Sequence, residues 1–182
     1  VGAIASGLES TALGYATRAL GVNSTAVGNQ VTAASDGSIA ISTNNSKAVD
    51  AASKNAIAIG WAATVANAPS AIALGDTATA SGLYATAIGF EAVATQQAAL
   101  AIGRGAEAQA PNSVALGMQA AATGATGSVA LGSLSTSSGT NSTGLGVGAT
   151  ATDNSAVAIG TASNAAALRT LAIGSGATAT VL

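Results

Sequence analysis

The chain has 182 residues, a formal net charge of −2, and neither cysteine nor histidine. These absences exclude disulfides, thiolate metal sites and histidine-based catalysis, so we expect no enzyme and no bound metal or cofactor. Charged residues make up only 7% of the chain and form no basic patch, so nucleic acid is not an expected partner.

Hydrophobic residues account for 49% of the chain and aromatic residues for only 2%, because alanine supplies most of the apolar content. Gly, Ser, Thr or Asn interrupts every apolar run, so we predict no membrane-spanning helix and no direct membrane insertion. The first residues show no basic segment followed by an apolar one, so we recognise no signal peptide. The core must therefore be built from closely packed small side chains.

A short phrase, alanine followed by a branched aliphatic residue and glycine, recurs along the chain. We call its final residue the repeat end, and the repeat ends are Gly14, Gly28, Ser42, Gly60, Gly75, Gly89, Gly103, Gly117, Gly132, Gly146, Gly160 and Gly174. Successive ends are 14 residues apart, except where one insertion of four residues and two of one residue intervene. A fixed period of this kind indicates a repeat architecture.

The two residues that precede each repeat end are assigned to the structural core, with the exception of Gly144. The first holds a small residue: Ala12, Ala26, Ala40, Ala58, Ala73, Ala87, Ala101, Ala115, Ala130, Gly144, Ala158 or Ala172. The second holds a branched aliphatic residue: Leu13, Val27, Ile41, Ile59, Leu74, Ile88, Ile102, Leu116, Leu131, Leu145, Ile159 or Ile173. The invariably small first position implies a site where a bulkier side chain would collide with its surroundings.

The second half of each repeat begins just after the repeat end. Small residues recur three and five positions later, as at Ala78 and Ala80, a spacing that is typical of a β-strand. We expect the backbone to turn with positive φ at the glycines seven residues after an end, which are Gly21, Gly82, Gly124 and Gly139. Each repeat is therefore predicted to run strand, turn, strand, turn.

Fixed glycines and frequent β-branched residues argue against a helical repeat of the same length. We predict that residues 1–182 form one all-β domain, a parallel β-solenoid of about twelve 14-residue coils. The four-residue insertion follows Ser42, the only repeat end that is not glycine. We predict that it forms an outward loop within residues 43–55, because this segment is polar and carries rare charges.

The strand before each repeat end is apolar on both of its faces. Neighbouring strand residues point to opposite sides, so small residues face one way and branched aliphatic residues face the other. The thin interior of a 14-residue coil can cover only one of these faces, so we expect self-association to cover the second. If the second face stayed only partly covered, the chain would be poorly soluble.

Three phrases carry a resemblance to a known family: NSVALG at residues 112–117, NSTGLG at 141–146 and SIAI at 38–41. They resemble the YadA-like head repeats of trimeric autotransporter adhesins, and the similarity extends over nearly the whole chain. The resemblance implies a left-handed parallel β-roll, with three chains around a common axis, displayed on the outer membrane of a Gram-negative bacterium. It also implies adhesion to host cells, to extracellular-matrix proteins or to other bacteria. Ser42, Gly144 and the four-residue insertion depart from the family pattern.

Most of the distinctive side chains lie just after the repeat ends. The candidate ligand-contacting surface comprises Tyr15, Trp61, Asp76, Phe90, Glu91, Arg104 and Met118. Because coils stack, we expect Asp76, Phe90, Arg104 and Met118 to form one longitudinal row, and aromatic and arginine side chains are enriched among interface anchors. The competing interpretation is a solvated face with incidental charge pairs.

Other motifs are weaker. Glu91 and Glu107 have no nucleophile or histidine beside them, so an acid–base pair is not expected. The glycosylation sequons that begin at Asn23, Asn44 and Asn141 consist of residues that turns favour anyway. Asp36, Asp50 and Asp153 are isolated from one another in the repeat, so they do not predict a metal site.

An ice-binding β-solenoid is the alternative function. Threonines recur four and six residues after some repeat ends, as at Thr150 and Thr152. An ice-matching surface needs that pair in nearly every coil. The ladder is broken at Arg18 and Leu20, at Glu107 and Gln109, and at Asn164 and Ala166.

Overall fold

The computed structural model describes residues 2–42, 50–51, 53–65 and 68–180. The chain divides into two compact units, Val1–Glu91 and Ala92–Leu182. Every regular element among the described residues is a β-strand, so the all-β prediction is confirmed. The strands alternate between two sheets in each unit, which we call the odd sheet and the even sheet after the numbers of their strands.

In the first unit the odd sheet contains two-residue strands and the even sheet contains longer ones. The odd strands are β1 (Ile4–Ala5), β3 (Arg18–Ala19), β5 (Thr32–Ala33), β7 (Asp50–Ala51), β9 (Thr64–Val65) and β11 (Thr79–Ala80). The even strands are β2 (Thr11–Tyr15), β4 (Thr25–Asn29), β6 (Ile39–Ser42), β8 (Ile57–Ile59), β10 (Ile72–Leu74) and β12 (Thr86–Ile88).

The second unit repeats this arrangement. Its odd strands are β13 (Val93–Ala94), β15 (Glu107–Ala108), β17 (Ala121–Ala122), β19 (Thr136–Ser137), β21 (Thr150–Ala151), β23 (Asn164–Ala165) and β25 (Thr178–Ala179). Its even strands are β14 (Leu100–Ile102), β16 (Val114–Leu116), β18 (Val129–Leu131), β20 (Thr143–Leu145), β22 (Val157–Ile159) and β24 (Leu171–Ile173).

All the strand pairs are parallel and join equivalent positions of successive repeats. In the first unit Ala73 pairs with Ala87, and in the second Ala115 pairs with Ala130. Each unit is therefore a parallel β-solenoid, as the period predicts. The one-residue insertion before Gly132 leaves this register intact, because the extra residue is taken up in the turn at residues 124–127.

The interior is a column of alanines. The small residue before each repeat end is fully buried in most coils, and so are the alanines three and five positions after the end, such as Ala78 and Ala80. Buried serines close the turns beside this column: Ser24 Oγ donates to Gly21 O at 2.7 Å, and Ser142 Oγ donates to the equivalent glycine at 2.7 Å. The small residues before the repeat ends therefore line the interior of the coils.

Each coil turns at two corners. The end corner follows the repeat end, and the entry corner precedes the next even strand. One residue at each corner that the structure describes has a left-handed backbone: at the entry corner Asn23, Asn55, Asn112 and Asn141 have φ between 54° and 56°. Asparagine tolerates this conformation better than most residues, which explains its recurrence there.

The prediction of positive φ at Gly21, Gly82, Gly124 and Gly139 is wrong, because none of them has it. These glycines lie two or three residues before the left-handed residue of the entry corner. In the three whose surroundings are described, a Cβ atom would overlap the backbone of the following coil. Here glycine is required by close approach rather than by an unusual φ.

The predicted loop within residues 43–55 falls mostly outside the described residues. Asp50 and Ala51 form strand β7, in register with Thr32 and Ala33. The four extra residues therefore lie between Ser42 and Asp50, and the outward loop stays a prediction.

Candidate functional site

The residue directly after each repeat end forms what we call the corner row. In the first unit Thr77 N donates to Trp61 O at 2.7 Å, and Glu91 N donates to Asp76 O at 2.9 Å. These bonds connect successive coils, so Trp61, Asp76 and Phe90 follow one another along the end corner. Strand β2 continues through Gly14 to Tyr15, which extends the row to the first coil.

The second unit carries its own part of the corner row. Gln119 N donates to Arg104 O, and Leu134 N donates to Met118 O, both at 2.8 Å. Arg104 and Met118 therefore lie on successive coils of that unit. The predicted row is present in each unit separately, with the aromatic residues and Asp76 in the first and with Arg104 and Met118 in the second.

The corner row is accessible in the single chain. The side chain of Phe90 is 42% exposed and that of Met118 is 44% exposed, while Trp61 and Asp76 are partly buried. One carboxylate oxygen of Asp76, Oδ1, is buried and has no hydrogen-bond partner among the described residues. The side-chain oxygen of Asn29, at the same position of an earlier coil, is also buried without a hydrogen-bond partner among the described residues.

The two glutamates occupy different settings. Glu91 is the left-handed residue of its end corner, with φ of 56°, and is exposed. Glu107 lies on strand β15, where its Oε2 accepts a hydrogen bond from Gln109 Nε2 at 3.0 Å. The two glutamates belong to different units.

The described residues contain no group of side chains that could hold a metal ion. They also contain no helix that is long and apolar enough to cross a membrane.

The outer faces of the two sheets differ in chemistry. The outer face of each even sheet carries the branched aliphatic residues, and several are exposed, among them Leu13 at 65% and Leu116 at 45%. These residues were assigned to the core, but within one chain they lie on its outside. The outer face of the odd sheet carries mainly polar residues, such as Thr136, Thr150 and Asn164.

Sequence reasoning missed several exposed apolar residues at the corners, and two of them have a left-handed backbone. Tyr84, at an entry corner, is 60% exposed, and Leu134, at an end corner, is 52% exposed. Both have φ of 59°, which bulky residues rarely adopt. The signal was available in the period, since each residue occupies a position that holds Asn, Gly or Gln in other coils.

Comparison with known proteins agrees with this architecture. The model of the YadA head domain repeat, in two copies, matches residues 5–30, 21–41, 66–92, 94–120, 124–149 and 137–163, which together cover most of the chain. The chain belongs to the family of YadA head domain repeats. Most of the buried alanines and glycine repeat ends described above lie within the residues that match this model.

A solved structure shows the same relationship. The collagen-binding domain of the Yersinia adhesin YadA is 28% identical to this chain, with a TM-score of 0.59. The similarity covers 74% of this chain and 67% of that domain. A search of curated proteins found no match.

Proposed function

We propose that this YadA-type head is an adhesin displayed on a bacterial cell surface, where it binds host cells or extracellular-matrix proteins. The similarity to the collagen-binding domain of a Yersinia adhesin is the observation that carries the proposal. It makes a matrix protein such as collagen the first partner to test. The same relationship supports a binding module without catalytic activity.

We also propose that the head functions as a homotrimer. The support from this chain is the contrast between the two outer faces in each unit, because among the described residues the even strands expose branched aliphatic side chains where the odd strands carry mainly polar ones. Leu74, Leu145 and Ile173 are each at least 40% exposed on that face. Soluble proteins seldom leave such a surface uncovered, and packing against other copies would cover it. Light scattering at micromolar concentration is expected to give three times the chain mass, and a monomer mass would contradict the assignment.

The ligand surface is proposed to lie along the end corner and the polar outer face, which lie outside the apolar face that is proposed to pack between chains. Each contact is weak, but three chains repeat it, and linked contacts raise the effective concentration. Few charged residues take part, so binding should depend only weakly on salt.

The adhesion test compares beads coated with wild-type head and with the folded Trp61→Ala, Phe90→Ala, Arg104→Ala triple variant. Wild-type beads should adhere to collagen, to other matrix proteins or to epithelial cells, and the triple variant should adhere less. Equal adhesion would remove the corner row as the ligand surface. If neither protein adheres to any host surface, the adhesin function itself is contradicted.

The structure gives no support to the ice-binding alternative. The outer column of the odd sheet in the second unit runs through Val93, Glu107, Ala121 and Thr136, so its threonine ladder is interrupted. Thermal hysteresis should therefore be absent from solutions of the purified chain.

A further inference from the structure

Tyr84 is a bulky residue held in a backbone conformation that bulky residues disfavour. It is the left-handed residue of the entry corner between strands β11 and β12, with φ of 59°. Asparagine or glycine fills the equivalent position in half of the coils, because these two residues adopt a positive φ most easily. The fold alone gives no reason for an aromatic residue at this corner, so the backbone strain calls for a functional explanation.

The side chain of Tyr84 is open to solvent and has no partner within the described part of the chain. It is 60% exposed, and it makes no hydrogen bond and no ring contact with the described residues. Its backbone N–H donates to Pro69 O at 3.2 Å, and Ala85 N closes the turn by donating to Gly82 O at 2.9 Å. The ring is therefore displayed from a fixed backbone, which lowers the ordering cost of binding through it.

Two apolar neighbours complete a small patch, which we call the tyrosine apex and which consists of Pro69, Leu83 and Tyr84. Pro69 occupies the position of Leu83 in the preceding coil, and both residues are exposed. Among the described residues, the nearest charge at this corner of the first unit is Lys54, one coil before Pro69. Its Nζ lies 3.8 Å from Asp36 Oδ2. The tyrosine apex itself is therefore apolar and uncharged.

This chemistry fits a partner chain in the polyproline II conformation better than a charged partner. Such a chain has no internal hydrogen bonds, so its proline rings and carbonyl groups face its surroundings. Proteins bind chains of this type on surfaces lined by aromatic side chains. Collagen winds three of them together, and the Yersinia domain to which this chain is similar is a collagen-binding domain.

We propose that the tyrosine apex is an anchor point for a collagen-type triple helix on this head. The ring of Tyr84 packs against proline and hydroxyproline rings of the helix, and its Oη donates to a peptide carbonyl. Leu83 and Pro69 widen the apolar contact. This inference rests on the proposed adhesin function, because it names the partner and adds the entry corner to the surface that meets it.

The strain at Tyr84 gives the test a signature that a purely structural residue lacks. Tyr84→Asn should raise the melting temperature by about 2–4 °C, because asparagine relieves the backbone strain. The same variant should bind a triple-helical peptide of Gly-Pro-hydroxyproline repeats at least fivefold more weakly than wild type, measured by surface plasmon resonance. Tyr84→Phe keeps the ring and loses Oη, so its affinity should fall between those of wild type and Tyr84→Asn.

Two controls test whether the effect is specific. Ala98→Asn changes the equivalent left-handed position in the second unit, where φ is 52°, and should leave peptide binding unchanged. A peptide of Gly-Ser repeats of the same length forms no triple helix and should not bind. Weaker binding by the Ala98→Asn variant, or binding of the Gly-Ser peptide, would overturn the proposal.

Three results with Tyr84→Asn would also overturn the proposal. A lower melting temperature would show that the ring stabilises the fold. Full binding of the triple-helical peptide would remove the tyrosine apex as an anchor. A lower mass in light scattering would show that the ring contacts another copy of the chain.

Adhesion measurements separate this proposal from the function on which it rests. Wild-type heads that adhere to host matrix proteins but do not bind the triple-helical peptide would refute this inference and leave the adhesin function intact. Undiminished adhesion of Tyr84→Asn heads to collagen would refute it in the same way. Wild-type heads that adhere to no host surface would instead refute the adhesin function.

Discussion

Replacing Gly144 by alanine is expected to destabilise the second unit, although alanine occupies the equivalent position of every other coil. The reason lies across the interior, where Ser137 takes a position that alanine holds in the neighbouring coils. Ser137 is fully buried, and its Oγ donates to Val129 O at 2.6 Å. A Cβ atom on Gly144 would lie 3.1 Å from that Oγ and 3.1 Å from Thr136 O. The hydroxyl thus fills the space that a methyl group fills elsewhere.

The expected magnitude follows from two opposing effects. Overpacking a core by one methyl group costs about 1–3 kcal/mol. Replacing glycine by alanine recovers about 0.4–1 kcal/mol by restricting the unfolded chain, since Gly144 does not need a positive φ. Gly144→Ala should therefore lower the free energy of unfolding by about 1–2 kcal/mol.

A double-mutant cycle tests this explanation. Ser137→Ala alone should cost about 0.5–1.5 kcal/mol for the lost hydrogen bond. The double variant recreates the pair of alanines found at Ala122 and Ala130, so adding Gly144→Ala to Ser137→Ala should cost almost nothing. The coupling free energy is expected to be about 1–2 kcal/mol, within the usual range for residues in contact.

The four proteins should be compared by denaturant unfolding at one chain concentration, because association contributes to apparent stability. Additive effects, within about 0.5 kcal/mol, would refute the idea that Ser137 and Gly144 share one space.

Three further pairs of substitutions test the repeat frame. Gly146→Ala should lower the free energy of unfolding by more than about 3 kcal/mol, because φ is 135° and the added Cβ atom would lie 2.5 Å from a carbonyl oxygen of the next coil. Gly148→Ala should lower it by only about 1 kcal/mol, because φ is 64° and the space around the added Cβ atom is open. Ala115→Leu should destabilise by about 1–3 kcal/mol because its site is fully buried, whereas Thr136→Leu on the outer face should shift the melting temperature much less. Leu116→Lys should lower the mass measured by light scattering, and Thr136→Lys on the polar face should not. If the Leu116→Lys variant is still a trimer, the contact between chains lies elsewhere.

Much of the fold is predictable from the sequence because a period of 14 residues leaves few structural solutions. Stacked coils must place equivalent residues beside one another, so the alternation of strands, the parallel pairing and the buried alanines all follow from the repeat. The corner row follows in the same way, since its residues share one position in the period. Gly144 is likewise visible as an exception in the sequence.

The tertiary structure decides what depends on distances between coils. Only the backbone shows that Gly139 is needed for close approach while Asn141 carries the left-handed φ, because spacing alone cannot separate these two requirements. Only the packing shows that Ser137 accounts for Gly144, since the two residues belong to opposite sheets and meet across the interior. The buried oxygen of Asp76 is also a property of its neighbours, and a sequence pattern records which residues stack but not how much space and water lie between them.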